Sequence, residues 1–186
     1  LERLGTIERI AQAKAELVRA LPDNGIAVLN GDDHRVRAMA DQTAAAVVSF
    51  GLDPSNDLWA DQISSRGWAG IEAQFHVRPG EWDVETGYSL QIPMPGRHAV
   101  WPALNAAAVG LTLGLGWRDI QRGLLTQDEG LRLRPTPGRA GATIIDDSYN
   151  SSPSSALAAL DLLTELPGEH MAVLGDMLEL GSYERE

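Results

Sequence analysis

Residues 144–155 read IIDDSYNSSPSS, an apolar pair running into two carboxylates, a Tyr-Asn pair and four serines around a proline. An apolar strand that ends in Asp146 and Asp147 points these carboxylates at whatever follows. Ser152 suits a helix N-cap and Pro153 the first helical position. A strand end facing a helix start forms a crevice in which ligands collect, and the helix contributes free N–H groups and positive partial charge. A carboxylate there can accept hydrogen bonds from ribose hydroxyls. An ordinary polar strand–helix connection would have the same composition, and the physics of the segment alone favours that plainer reading. A second chemical signal comes from the basic residues. Of 15, all are Arg except Lys14. Either the composition has drifted and left one survivor, or position 14 needs an amine able to lose its proton, which Arg cannot do.

The elements that must position these groups follow from pattern. Ile7, Ile10, Leu17 and Leu21 recur at helical spacing over residues 6–21, with Thr6 as N-cap and Pro22 and Asp23-Asn24-Gly25 as the stop. Residues 25–30 and 45–50 are short buried strands, and 32–42 form a helix between them. Helix–strand–helix–strand order implies a parallel sheet with crossovers. Residues 58–64, 70–78 and 84–92 alternate loosely between turn signals and predict three antiparallel strands. An Ala/Leu-rich helix follows over 99–115 and another over 117–126. Residues 127–141 are polar, with two Pro and three Gly. They predict a domain boundary near 133, dividing the chain into 1–132 and 133–186. Beyond it, 142–147 reads as a strand, 153–166 as a helix and 170–177 as a strand, a βαβ unit opening a second domain. The fold class is therefore α/β: a mostly parallel sheet domain with an antiparallel section, then the start of a Rossmann-like domain.

Composition narrows the function classes. Hydrophobic residues make up 44% of 186, enough for a core. A net charge of −11 argues against nucleic acid or an anionic membrane as partner. With no cysteine there is no disulfide framework or thiolate metal site. No apolar run is long enough to span a bilayer and no secretory signal opens the chain, so the cytoplasm is the expected compartment. His34, His76 and His170 show no metal-ligand spacing. The absence of an initiator Met, and an end just after an apolar stretch, suggest a piece of a longer protein.

Several stretches together carry a resemblance. DDSYNSSPSSALAALDLL (146–163) resembles the opening of the C-terminal domain of the Mur ligases, most of all the branch that adds D-alanyl-D-alanine. LERLGTIERIAQAKAELVRALP resembles the family's central-domain helix. GIAVLNGDDHRVRAMA is similar to its NADDP segment, PGRHAVWPALNAAAVGLTLGL to its HNxxNxxAA segment, TPGR to its interdomain Pro-Gly-Arg, and VLGDMLELG to its next strand.

The resemblance implies an ATP-dependent, magnesium-dependent ligase. It phosphorylates a carboxylate, and an amine then attacks the acyl phosphate. In this branch the substrates are a UDP-N-acetylmuramoyl tripeptide and D-alanyl-D-alanine, and the full-length protein is expected to be a monomer. Two anions meet in the first step, so cations must offset their repulsion. Lys14 aligns with a lysine that becomes carbamylated and then ligates magnesium, which calls for a lowered amine pKa such as burial near cations provides. Arg139 aligns with an arginine that reaches the ATP phosphates, for which its planar fork is suited. Asp147 aligns with the ribose-holding acid. Tyr149 and Asn150 lie beside it, Asp146 orients the loop, and His98 keeps the first position of the HN pattern.

The match departs at Ala99 and Pro102, where the family has Asn side chains that help hold adenine; neither replacement offers a hydrogen-bonding side chain. Asn105 lies one helical turn further on. Gly31 and His34 depart from NADDP with no evident chemical penalty. The Gly-Lys-Ser/Thr phosphate loop is not in this sequence, so the chain alone is expected not to catalyse ligation. Sister amide ligases (diaminopimelate- or lysine-adding, or folylpolyglutamate synthase) and a non-catalytic nucleotide-binding relic are the competing readings. DDSYNSSP and GDMLELG favour the D-alanyl-D-alanine branch over the sister ligases.

Overall fold

The computed structural model describes residues 5–80, 82, 87–126, 134–178 and 180. The boundary expected near 133 lies outside them.

Helix α1 (Ile7–Arg19) starts where Thr6 accepts the Arg9 N–H at 3.3 Å. Ala11, Ala15 and Val18 carry its buried face against β1 (Ile26–Asn30) and the turn that holds Met39. The short helix α2 (His34–Arg37), capped by Asp33, and a 3-10 turn (Ala38–Gln42) lead into β2 (Ala46–Gly51). β1 and β2 pair in parallel from Ile26↔Ala46 to Asn30↔Phe50. The crossover expected over 32–42 is thus present, with its second half tightened into a 3-10 turn.

β3 (Leu58–Ser65) continues the sheet, parallel to β2 over Phe50↔Leu58 and Gly51↔Trp59. β4 (Ile71–Val77) and β5 (Gly87–Ile92) then add antiparallel strands, completing the order β1-β2-β3-β4-β5. β4 displays the two-residue period of a half-buried strand: Ile71, Ala73, Phe75 and Val77 face in, while Glu72, Gln74 and His76 are half-exposed. Onto this face packs α3 (Val100–Thr112), burying Val100, Ala103, Leu104, Ala107, Ala108 and Leu111. α4 (Trp117–Leu125) adds Trp117 and Ile120. Each large side chain so buried stabilises by roughly 1.5–3 kcal/mol relative to exposure. Phe75 and Leu58, both 0% exposed, lie at the centre.

The remaining elements form a second, smaller group. β6 (Arg134–Pro137) pairs antiparallel with β7 (Thr143–Asp146) from Arg134↔Asp146 to Pro137↔Thr143. α5 (Pro153–Glu165) follows, with Leu162 buried and its contacts made to the 3-10 turn Arg97–Ala99 ahead of α3.

The strand expected over 170–177 does not form. Residues 171–178 have no regular structure, and Met171, Val173, Leu174 and Leu178 are 84, 91, 67 and 79% exposed. An apolar run becomes a strand only beside an edge that takes its backbone hydrogen bonds. β7 instead pairs with β6, within the segment expected to be a polar connection.

Candidate functional site

The carboxyl ends of β1 and β2 meet at Asp32. Its carboxylate accepts the backbone N–H groups of Leu52 (2.9 and 2.8 Å to the two oxygens) and Asp53 (3.2 Å), the Asn56 amide (3.3 Å) and the Trp101 indole N–H (2.9 Å). One side chain thus ties both strand ends to the first turn of α3. Two glycines make room for it. A Cβ on Gly51 would lie 2.2 Å from Asp32 Oδ1, and one on Gly31 would lie 1.9 Å from the buried Asn56 Oδ1. Gly31, a departure without evident consequence in the sequence, is what admits Asn56 at this corner. Beside it Asp57 is also satisfied, by the Ser49 N–H and hydroxyl at 2.8 Å each and by Arg78 at 2.8 Å. Groups so fully bonded hold the scaffold and are not free to take a ligand.

Next to this corner, Gly96 at φ +89° turns the chain into the 3-10 turn that presents His98. His98 is half-buried, and desolvation holds its pKa below the ordinary imidazole value. The nearby carboxylates of Asp147 and Glu165 oppose that shift. The two groups of elements meet here, where α5 contacts the 3-10 turn that carries His98, and the charges of Asp147 after β7 and Glu165 at the end of α5 are felt at its ring.

The two adjacent aspartates differ. Asp146 is exposed, and its Oδ1 accepts the Ser148 N–H (3.0 Å) and hydroxyl (2.6 Å), bonds that lower its pKa and fold the loop back on itself. Asp147 is turned inward. Its Oδ1 is buried without a hydrogen-bond partner, one of two such side-chain atoms among the described residues. A buried acceptor left open is costly unless a donor arrives. α5 begins just beyond, closed by a capping box in which Ser152 and Ser155 each bond the other's backbone N–H. Tyr149, 76% exposed, and Asn150, also exposed, lie on the outer side of this loop.

Lys14 and Arg139 are not among the groups whose charge is felt at His98. Lys14 is exposed at the flank of the buried face of α1, and Arg139 is exposed in the turn between β6 and β7; neither forms an ion pair among the described residues. Small residues on α1 carry its packing face, which leaves Lys14 exposed among the described residues. No group of three or more His, Cys, Asp or Glu side chains that could hold a metal ion gathers among the described residues, so these residues do not build a magnesium site on their own. A shallow hollow of about 280 Å³ between Pro135 and Thr143 takes in neither His98 nor Asp147. Sequence reasoning did not single out Asp32, Trp101 or Glu165; the available hints were the place of Asp32 in the NADDP-like segment and a tryptophan opening an otherwise Ala-rich helix.

Residues 1–110 match the Mur ligase middle domain. UDP-N-acetylmuramoyl-tripeptide–D-alanyl-D-alanine ligase of Mycobacterium tuberculosis is 38% identical over 97% of this chain and 36% of its own length. The enzyme of that name from Escherichia coli is 33% identical over 98% of this chain and 39% of its own. The chain thus spans somewhat more than a third of these relatives. Among solved structures, MurF from Acinetobacter baumannii superposes with a TM-score of 0.86 at 28% identity, covering 99% of this chain and 39% of that one. Folylpolyglutamate synthetase from Lactobacillus casei shares the fold, with a TM-score of 0.59 at 19% identity over 88% of this chain and 40% of its own. With its middle-domain match, its relatives along nearly its whole length and a sheet of the same architecture, this chain belongs to the Mur ligase family.

Proposed function

We propose that this chain is the part of a D-alanyl-D-alanine-adding ligase that joins the latter portion of the ATP-binding domain (1–132) to the start of the next domain (133–186). The whole enzyme couples D-alanyl-D-alanine to a UDP-N-acetylmuramoyl tripeptide through an acyl phosphate, in the cytoplasm and as a monomer. ATP supplies the phosphoryl group that activates the carboxylate. Support for the amine substrate comes from relatives of that name, 33–38% identical across nearly all of this chain. The diaminopimelate ligase among the solved structures is a weaker likeness, with a TM-score of 0.58 at 20% identity.

The observation that carries the nucleotide reading is the buried Asp147 Oδ1, without a hydrogen-bond partner among the described residues, on a carboxylate whose charge is felt at His98. A ribose hydroxyl is a donor of the kind this oxygen lacks. In this reading Asp147 fixes the sugar, His98 borders it, Tyr149 and Asn150 flank the loop, and Arg139 meets phosphate oxygens. Lys14, as a carbamate, contributes one oxygen ligand to magnesium, and the remaining ligands come from other parts of the enzyme. No described helix is long and apolar enough to cross a membrane.

The test is ligation by the full-length protein, given ATP, magnesium, the UDP-muramoyl tripeptide and D-alanyl-D-alanine. Phosphate release should depend on both co-substrates, and mass spectrometry should find the pentapeptide product. Turnover with a single amino acid in place of the dipeptide would assign the protein to a sister ligase. Turnover of no substrate pair, despite nucleotide binding, would favour the relic.

A further inference from the structure

The nucleotide reading leaves the base without the two Asn side chains that the family resemblance would place beside it. Ala99 is 0% exposed and offers only a methyl group, and Pro102 lacks both a polar side chain and a backbone N–H. A base is bonded directly to its ribose, so a sugar held at Asp147 keeps its base in the neighbourhood of His98. Trp101 follows His98 by three residues across the 3-10 turn and the first turn of α3, a spacing that puts both on one side of the chain. Its ring rests on the core and stays partly exposed.

Packing alone does not demand what is done to this ring. Trp117, buried between Phe75 and Tyr88, keeps its indole N–H without a partner. Trp101, at the rim, has its N–H fixed at 2.9 Å to Asp32, which four further bonds hold in place. The indole is therefore pinned at one edge while part of it faces solvent.

We propose that Trp101 is the platform on which the nucleobase stacks, so that base choice rests on an aromatic face rather than on hydrogen bonds to the base edge. The proposal rests on the nucleotide reading of Asp147. Every base has a π face, so stacking discriminates poorly between purines. Fixing the ring in advance lowers the entropy lost on binding.

The test is calorimetric titration of the full-length protein with ATP and GTP in the presence of magnesium. The two should bind within about fivefold of each other, because stacking tolerates either base. Trp101→Ala should weaken both by about tenfold or more, and Trp101→Phe should recover most of the loss. Trp101→Met keeps the apolar packing but removes the ring, and serves if the Ala variant fails to fold. Unchanged affinity in Trp101→Met, a strong preference of the wild type for ATP, or a loss confined to Tyr149→Ala would each overturn the proposal. A wild-type protein that binds neither nucleotide would instead overturn the underlying nucleotide reading.

Discussion

At the scale of single residues, adjacent aspartates are given different work by where their oxygens end up. Asp146 spends its Oδ1 on Ser148, whereas the Asp147 Oδ1 is buried and open. In the full-length protein Asp147→Ala should weaken ATP binding by about tenfold, the cost of losing a hydrogen bond to a charged acceptor. Asp146→Ala should leave affinity near wild type; calorimetry distinguishes them, and equal losses would refute the assignment. His98 makes a pH prediction. Its pKa is depressed mainly by desolvation, so the folded state binds fewer protons than the unfolded state around the ordinary value of 6.5. Stability then rises with pH through this window and falls as pH drops toward the depressed folded value. His98→Gln should flatten the fall in melting temperature between about pH 7.5 and 5.5; an unaltered slope would remove His98 as its source.

At the scale of elements, local chemistry sets where each begins. The Ser152–Ser155 capping box starts α5, and Ser152→Ala should cost about 1 kcal/mol in denaturant unfolding. Corner packing sets a stricter limit. Gly31→Ala places a methyl carbon 1.9 Å from the Asn56 amide oxygen, so Asn56 must leave its bonds to Asp32 and Asp53 or the β1 end must move. Overpacking of this kind costs about 1–3 kcal/mol, and Asn56→Ala in the same chain should relieve part of it in a double-mutant cycle. A Gly31→Ala protein as stable as wild type would show that the corner yields freely. The elements themselves were legible where their signals are local. Thr6, Ser152, the alternation of β4 and the order of helices and strands from α1 to α4 all follow from the neighbours of each residue in sequence. The 3-10 turn after α2 and the β6–β7 pair were not, because neither carries a periodic pattern.

At the scale of the whole molecule, the chain holds a closed core on one five-stranded sheet and a lightly packed second group that ends in exposed apolar residues. Limited proteolysis of this chain should therefore cut first within residues 171–178, ahead of any site in β1–β5. Initial cleavage inside the sheet would contradict the packing described. The sequence by itself determined the α/β class, the order of the elements as far as α4 and the segments that carry the family likeness, because periodicity, capping and turn chemistry act over a few residues. Through the family likeness it also named Lys14, Arg139, Asp147, His98, Tyr149 and Asn150 as candidates. Tertiary structure alone decided which aspartate keeps an open oxygen, that Lys14 is exposed, that 170–177 lies unpaired and that Trp101 bonds Asp32 across 69 residues. Such outcomes depend on atoms brought together from distant parts of the chain, and on whether an edge or a donor is there to meet them. No local pattern of residues encodes that.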